Sequence, residues 1–217
     1  MPAKVSDSTI RRLSHYLRIL EGMAREGGGT VSSVQLAAAA GTTAAQVRKD
    51  LSLFGSFGKR GHGYQVSELA ERVREILGLG REWRVALVGA GRIGSALFEY
   101  ADFRRRGFHI VAVLDVDRAK IGDRWGTIDV EDVARLEAVL EREGVDVLIV
   151  TVPATEAQAV VDRAVAAGVR GILNFAPTQL RTADGVFVHD VNMVMELEAL
   201  SFDLTNRIPS RVGDAAD

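Results

Sequence analysis

Three glycines, at positions 89, 91 and 94, directly follow a short apolar run at residues 85–88. This spacing is typical of a strand, a tight turn and the start of a helix. Gly89 would permit the turn, Gly91 would let the backbone approach a pyrophosphate, and Gly94 would let the helix pack closely on the strand. Anions favour such a place because the first turn of a helix leaves N–H groups unpaired. The pattern therefore predicts a phosphate-binding turn.

A second apolar run, at residues 108–114, ends at Asp115. A dinucleotide-binding unit places there the carboxylate that holds the adenosine ribose. The glycine pattern alone is weak evidence, and Asp115 strengthens the dinucleotide hypothesis. The alternative at this point is a glycine turn with only a structural role.

The first 78 residues have a different character from the rest. They hold 11 Lys and Arg against 7 Asp and Glu, whereas residues 79–217 hold 16 against 22. A basic head on an acidic body predicts that only the head meets a polyanion. This part of the chain shows four helical patterns, at residues 8–22, from Ser32 or Ser33 to Ala40, at 44–54, and from Ser67 to Leu77. Their spacing predicts a helix-turn-helix, whose later helix enters the DNA major groove.

The third of these helices and the segment after it carry the candidate DNA contacts. Val47, Leu51 and Phe54 share one helix face, which leaves the polar side chains elsewhere. Glycines then alternate with basic residues over 57–66, a pattern that suits a hairpin wing against phosphates. The alternative is a solvated helix face and a loop. The candidate DNA-binding residues are Thr43, Gln46, Arg48, Lys49, Ser52, Lys59, Arg60, His62 and Tyr64.

From Trp83 onward, strand patterns alternate with helix patterns, which predicts an α/β fold with a mostly parallel, doubly wound sheet. We expect strands at 84–88, 108–114, 146–152, 171–175 and 186–189, and helices at 92–103, 131–142 and 156–167. A last helix, at 193–206, is apolar enough to need a partner surface. The predicted domains are residues 1–78, residues 79–190, and residues 191–217 with the terminal helix.

Composition narrows the function classes. The 217 residues are 47% hydrophobic and include no cysteine, which excludes disulfides and thiolate metal sites. We expect no metal site and no membrane segment, and a cytoplasmic protein. An enzyme would need an acid or base near the cofactor, yet few residues remain after Pro177 and none of the four histidines has a catalytic setting. A bound dinucleotide is therefore expected to be sensed rather than consumed.

Five segments together resemble the Rex redox-sensing transcriptional repressors of bacteria: residues 46–52, 54–64, 89–94, 151–154 and 174–177. The resemblance runs from about residue 8 to 205. It implies a homodimer with winged-helix heads, Rossmann-like bodies and a C-terminal helix exchanged between subunits. It also implies that the protein binds an inverted-repeat operator when NAD⁺ prevails and releases it when NADH binds, which controls respiratory and fermentative genes.

The resemblance also assigns roles to single residues. It places Arg48 and Lys49 on the recognition helix and Lys59 and Arg60 on the wing. A switch seen in some family members couples an arginine, a tyrosine and an aspartate. Arg18 and Tyr100 match the first two. Asn192 stands in place of the third, and an asparagine can form a hydrogen bond but not an ion pair. The implied cofactor-binding residues are Gly89, Gly91, Arg92, Ile93, Gly94, Asp115, Thr151, Val152, Pro153, Asn174 and Pro177.

Structural alternatives exist for several of these residues. Pro153 and Pro177 can simply end strands, Asn174 can pair with loop backbone, and Tyr100 can be a half-buried aromatic. Two rival functions also stay open: a DNA-binding regulator gated by another nucleotide such as an acyl-CoA, and a small NAD-dependent oxidoreductase.

Overall fold

A computed structural model describes residues 5–57 and 63–207 and divides the chain into two compact units, Met1–Glu82 and Trp83–Asp217. The first unit is mainly helical. Its elements are α1 (Asp7–Arg25), β1 (Thr30–Val31), α2 (Ser33–Ala40), α3 (Ala44–Ser52), β2 (Tyr64–Gln65) and α4 (Val66–Ile76).

Local sequence signals explain the turn between α2 and α3. Ser32 caps α2 in a capping box with Gln35, and Gly41 ends the helix in the left-handed conformation, at φ +64°. The side chain of Thr43 then caps α3 by accepting a hydrogen bond from the backbone N–H of Gln46. The short connection therefore holds α2 and α3 in a helix-turn-helix arrangement.

One detail of the first unit differs from the sequence prediction. Helix α4 begins at Val66 and has no side-chain cap, so the predicted cap at Ser67 is wrong: that residue already lies inside the helix. The strand β2 pairs antiparallel with β1, with Val31 opposite Tyr64. Only the base of the predicted wing lies within the described residues.

The second unit is a seven-stranded sheet with helices on both faces. Its elements are β3 (Trp83–Val88), α5 (Arg92–Phe98), α6 (Ala101–Arg105), β4 (Phe108–Asp115), β5 (Arg124–Trp125), β6 (Ile128–Asp132), α7 (Leu136–Glu143), β7 (Val147–Val150), α8 (Ala154–Ala166), β8 (Gly171–Asn174), β9 (Phe187–Asp190) and α9 (Met193–Asn206).

The strand order is β5-β6-β4-β3-β7-β8-β9, and every neighbouring pair is parallel except β5 with β6. Leaving out the antiparallel edge strand, this is the order 3-2-1-4-5-6 of a dinucleotide-binding sheet. Alternate residues of β3 point to opposite faces: Ala86 and Val88 join one buried cluster, whereas Val85 and Leu87 join the other. The predicted doubly wound sheet is confirmed.

Two predicted helices are wrong in detail. The helix expected over 92–103 is interrupted at Tyr100, whose backbone is extended (ψ 96°) and whose ring packs on Phe103. No glycine or proline marks this break in the sequence. The helix expected over 131–142 begins later, because residues 131 and 132 belong to the end of β6. The Asp132 side chain accepts a hydrogen bond from Ala134 N and so ends the strand. A short 3₁₀ turn then leads into α7.

The terminal helix α9 has no buried residue within the described ranges. Seven large hydrophobic side chains along it are each more than half exposed. Burial of apolar surface is the main stabilising force for a helix of this kind, so α9 lacks its packing partner in a single chain. The exposed side chains are those of Met193, Val194, Met195, Leu197, Leu200, Phe202 and Leu204.

Candidate functional site

Four parallel strands of the second unit end side by side. The register pairs Val88 with both Leu114 and Val150, and pairs Val150 with Asn174. Because β3 and β7 are the first and fourth strands of the doubly wound order, the connections diverge between them and leave a crevice at their carboxyl ends. The predicted cofactor residues lie in the segments that follow or end these four strands.

The glycine turn after β3 needs two of its three glycines for its own shape. Gly89 has φ +107°, and a Cβ there would lie 2.7 Å from the carbonyl oxygen of Thr151. A Cβ on Gly94 would lie only 2.0 Å from the carbonyl oxygen of Gly89. Gly91, at the start of α5, instead faces open space, with nothing within 4 Å of a Cβ. Gly91 is therefore the position at which a ligand, rather than the chain, would require a glycine.

Asp115 ends β4 and is nearly buried, with 7% of its surface exposed. One oxygen, Oδ2, accepts hydrogen bonds from Ala90 N at 2.6 Å and from Lys120 Nζ at 3.3 Å, and Oδ1 accepts one from Asp117 N at 2.8 Å. Burial acts to raise the pKa of this carboxyl, but these bonds more than offset it and hold the pKa below its ordinary value of 3.8. Asp115 is thus a carboxylate fixed beside the glycine turn.

The segment after β7 supports the same turn from the other side. The hydroxyl of Thr151 donates to the carbonyl oxygens of Val88, at 3.0 Å, and Gly89, at 2.8 Å. Val152 packs on the core, and the exposed Pro153 stands at the N-cap position of α8. The structure therefore brings residues 151–153 to the crevice, with the Thr151 side chain bonded to the turn itself.

Asn174 organises the loop after β8. Its side chain is buried at 1% exposure and donates to the carbonyl of Thr178, at 2.9 Å, and to Asp190 Oδ1, at 2.7 Å. Its own oxygen accepts from Ala176 N at 2.9 Å. Asn174 thereby fixes the path of the loop that presents the exposed Pro177 at the edge of the crevice.

In the first unit, helix α3 presents Arg48, Lys49 and Ser52 on its exposed side. The Arg48 guanidinium donates to Ser33 Oγ at 3.0 Å, and the Ser52 hydroxyl donates to the Lys49 carbonyl. Gln46 is half-buried, and its side-chain amide donates to Asp50 Oδ1 at 2.8 Å. Arg48 and Lys49 are thus presented to solvent, whereas Gln46 already has an internal partner.

Sequence reasoning missed the buried centre of this unit, Asp50, which is 1% exposed. Its two oxygens accept from Arg12 Nε and Nη2, both at 2.7 Å, from Tyr16 Oη at 3.0 Å and from Gln46 Nε2 at 2.8 Å. Burial acts to raise the pKa of Asp50, and the bonds from Arg12, Gln46 and Tyr16 outweigh it and lower the pKa. Burial and the bond to Asp50 raise the pKa of Tyr16 to about 12.

This network ties α3 to α1. The sequence does indicate this network, because Asp50 lies on the apolar helix face that Val47 and Leu51 define. A charged residue there must find a buried partner or be excluded from the core. Asp50 therefore fixes the position of α3 on α1.

The other predicted DNA-binding residues have mixed outcomes. Lys59, Arg60 and His62 lie outside the described residues. Tyr64 is half-buried on β2, opposite Val31.

Of the three switch candidates, Arg18 lies in the first unit, and Tyr100 and Asn192 lie in the second. Arg18 is exposed on α1, and Tyr100 is 53% exposed between α5 and α6. The Asn192 side chain accepts from Val194 N, at 3.0 Å, and Met195 N, at 3.3 Å, so it caps α9. This cap gives Asn192 a structural role within its own chain.

Within residues 5–57 and 63–207, no group of three or more His, Cys, Asp or Glu side chains could hold a metal ion. No helix in this part of the chain is both long and apolar enough to cross a membrane.

Both units of the chain are similar to known protein families. Residues 80–178 match a family model described as "CoA binding domain", and residues 4–52 match one described as "Putative DNA-binding protein N-terminus". The redox-sensing transcriptional repressor Rex of Carboxydothermus hydrogenoformans is 49% identical over 93% of this chain and 97% of its own length. The chain belongs to the Rex family. As a Rex protein it is a transcriptional regulator rather than an enzyme.

Solved Rex-family structures have the same fold. The complex of the repressor RSP with β-NAD⁺ and operator DNA superimposes with a TM-score of 0.90, at 35% identity, over 94% of each chain. The complex of RSP with β-NADH gives 0.86 at 33% identity, over 94% of this chain and 96% of the other. The predicted combination of a winged-helix unit and a Rossmann-like unit is therefore confirmed.

Proposed function

We propose that this Rex protein binds an inverted-repeat operator when NAD⁺ prevails and releases it when NADH binds. One observation carries the proposal: the glycine turn, Asp115 and the loops after β7 and β8 meet at one sheet edge, in a chain that also holds a helix-turn-helix unit. Structures of the related RSP with β-NAD⁺ and operator DNA and with β-NADH support the same ligands here.

In this proposal the crevice holds the dinucleotide with its adenosine end at Asp115 and its nicotinamide end between the loops after β7 and β8. Gly91 faces the pyrophosphate, because it has open space where a Cβ would stand. Asn174 acts indirectly, by shaping the loop that carries Pro177. The proposed contacts are Gly89, Gly91, Arg92, Ile93, Gly94, Asp115, Thr151, Val152, Pro153 and Pro177.

On the DNA side, residues 44–53 enter the major groove. The exposed Arg48 reads base edges and Lys49 neutralises a phosphate, since Arg has a fork of donors and Lys is a point charge. Gln46 keeps its bond to Asp50 and offers its amide oxygen, and Thr43 and Ser52 flank the helix. The wing residues Lys59, Arg60, His62 and Tyr64 contact the flanking backbone.

The functional assembly in this proposal is a homodimer in which α9 packs on the other subunit. The exposed hydrophobic side chains of α9 support this, because a second copy of the chain would supply the surface that they lack. Dimer symmetry would then match the symmetry of the operator. Sedimentation equilibrium tests the dimer, and removal of residues 193–206 is expected to yield monomers.

The proposed switch uses Arg18 and Tyr100 without a charged third partner. Asn192 caps α9 and cannot form an ion pair, so it would act by fixing the start of that helix. We further propose that the protein works in the cytoplasm, where operator DNA and the NAD(H) pool meet, and that it controls respiratory or fermentative genes.

The experiment is fluorescence anisotropy of a labelled inverted-repeat operator from the protein's own promoter, with NADH titrated against a fixed excess of NAD⁺. Release of the operator at low NADH supports the proposal. The match of residues 80–178 to a CoA-binding family model favours one second candidate, a regulator gated by an acyl-CoA. Operator binding that is indifferent to NADH but lost with an acyl-CoA would favour that candidate.

A further inference from the structure

The loop after β4 folds back over the carboxylate that ends this strand. Asp117 makes the fold, since its Oδ1 accepts from Ala119 N at 3.0 Å and its carbonyl oxygen accepts from Lys120 N at 2.9 Å and Ile121 N at 3.1 Å. This single turn brings the side chain of Lys120 back to Asp115. The Lys120 ammonium thus has a place set by the backbone.

That ammonium lies between two carboxylates at the rim of the crevice. Lys120 Nζ is 3.3 Å from Asp115 Oδ2 and 3.6 Å from Asp117 Oδ2. The Lys120 side chain is 36% exposed, whereas that of Asp115 is 8% exposed. A ligand that reaches Asp115 therefore meets the positive charge of Lys120 as well.

Lys120 also uses part of the hydrogen-bonding capacity of Asp115. A carboxylate offers about four acceptor sites. Ala90 N and Lys120 Nζ take Oδ2, and Asp117 N takes one site on Oδ1. A ribose with two free hydroxyls would find one open site and would compete with Lys120 for another.

We infer that Lys120 is a specificity-determining residue that weakens the rejection of a 2′-phosphate on the adenosine ribose. The inference deepens the proposed NADH-sensing function and rests on it. Asp115 repels a 2′-phosphate, and the ammonium beside it attracts one. Lys120 therefore reduces the difference between the affinities for NADH and NADPH. It does not favour NADH, because it competes with the ribose hydroxyls for the Asp115 carboxylate.

The test compares NADH and NADPH binding to the full-length wild-type protein and to Lys120→Met by equilibrium titration of dinucleotide fluorescence. The dissociation constant for NADPH is expected to rise by about fivefold to tenfold, the effect of one partly exposed charge a few ångströms from the phosphate. The constant for NADH is expected to stay within about twofold. Lys120→Arg keeps the charge and should keep most of the NADPH affinity.

Arg124→Met is the matched control, because it removes one positive charge from the same unit. Arg124 pairs with Asp129 at 3.0 Å on β5 and β6, where both side chains are more than half exposed. The ratio of its dissociation constants for NADH and NADPH should equal that of the wild type. A further prediction is that raising the salt concentration weakens NADPH binding to the wild type more than binding to Lys120→Met.

Each outcome separates the inference from the proposed function. A selective loss of NADPH affinity in Lys120→Met supports the inference. Equal changes for both dinucleotides, or the same shift in Arg124→Met, would overturn it while NADH binding by the wild type keeps the proposed function intact. Failure of the wild type to bind NADH would instead overturn the proposed function, and the inference with it.

Discussion

Replacement of Asp50 by Ala removes the carboxylate that accepts hydrogen bonds from three side chains. Arg12 loses two hydrogen bonds of 2.7 Å, Tyr16 loses one of 3.0 Å and Gln46 loses one of 2.8 Å. Because these residues lie on α1 and α3, the change removes the polar link between the two helices. We therefore expect Asp50→Ala to destabilise the first unit and to weaken operator binding.

The magnitude follows from burial. Tyr16 is fully buried, and a buried hydroxyl without a partner costs about 1–3 kcal/mol. The Arg12 side chain is 30% exposed and regains water, so its lost ion pair costs about 1 kcal/mol rather than the 3–5 kcal/mol of a fully buried pair. The sum is about 3 kcal/mol for Asp50→Ala. Asp50→Asn keeps the shape and one acceptor, and should cost about 2 kcal/mol.

Urea unfolding with two probes assigns the loss to one unit. Both tryptophans of the chain, Trp83 and Trp125, lie in the second unit, so tryptophan fluorescence reports on that unit. Far-ultraviolet circular dichroism also reports on the helices of the first unit. With a slope of about 1.5 kcal/mol per molar urea, the Asp50→Ala transition seen by dichroism should move down by about 2 M. The fluorescence transition should stay in place.

The control is Glu75→Ala, which breaks an ion pair with Arg72 in the same unit. Both side chains are more than half exposed, so the cost should stay below about 0.5 kcal/mol. An Asp50→Ala protein whose free energy of unfolding lies within about 0.5 kcal/mol of the wild type would refute the stabilising role of this network. A shift confined to the tryptophan transition would refute it as well.

Three further predictions concern acid, the glycine turn and DNA. The pKa of Asp50 is lowered in the folded state. The ionised Asp50 therefore stabilises the fold above its ordinary pKa of 3.8, and this stabilisation is lost as the pH falls through the folded-state pKa. In thermal melts followed by circular dichroism, Asp50→Asn should lose less stability than the wild type as the pH is lowered. Gly94→Ala should destabilise the second unit in urea, whereas Gly91→Ala should unfold like the wild type but bind NADH at least about tenfold more weakly; full NADH affinity in Gly91→Ala would contradict this. Lys49→Ala should lower the salt slope of operator binding by about 0.9, and an unchanged slope would remove Lys49 from the phosphate contacts.

The parallel sheet was predictable because buried strands are continuous apolar runs between turn residues. The run at 84–88 corresponds to Trp83–Val88, and the run at 108–114 to Phe108–Asp115. The glycine turn was predictable from the spacing of its glycines, since Gly89 has a positive φ and a Cβ on Gly94 would meet the carbonyl oxygen of Gly89. The apolar runs and the glycine spacing are therefore local signals, even though the assembled turn also contacts Thr151.

Other features depend on contacts that local patterns do not contain. The break at Tyr100 has neither glycine nor proline, and the aromatic pairs Phe98–Trp125 and Tyr100–Phe103 lie on either side of it. Asp50 finds its partner 38 residues away. Such links become visible only when the elements are packed together.

The coupling between NADH and operator DNA is measured by the affinity for NADH with and without saturating operator DNA. If one ligand releases the other, the coupling free energy must be the same in both directions. We expect operator DNA to weaken NADH binding by the same factor by which NADH weakens operator binding, and to weaken NAD⁺ binding by a smaller factor or not at all. An NADH affinity that is unchanged by operator DNA would show that NADH does not control operator binding.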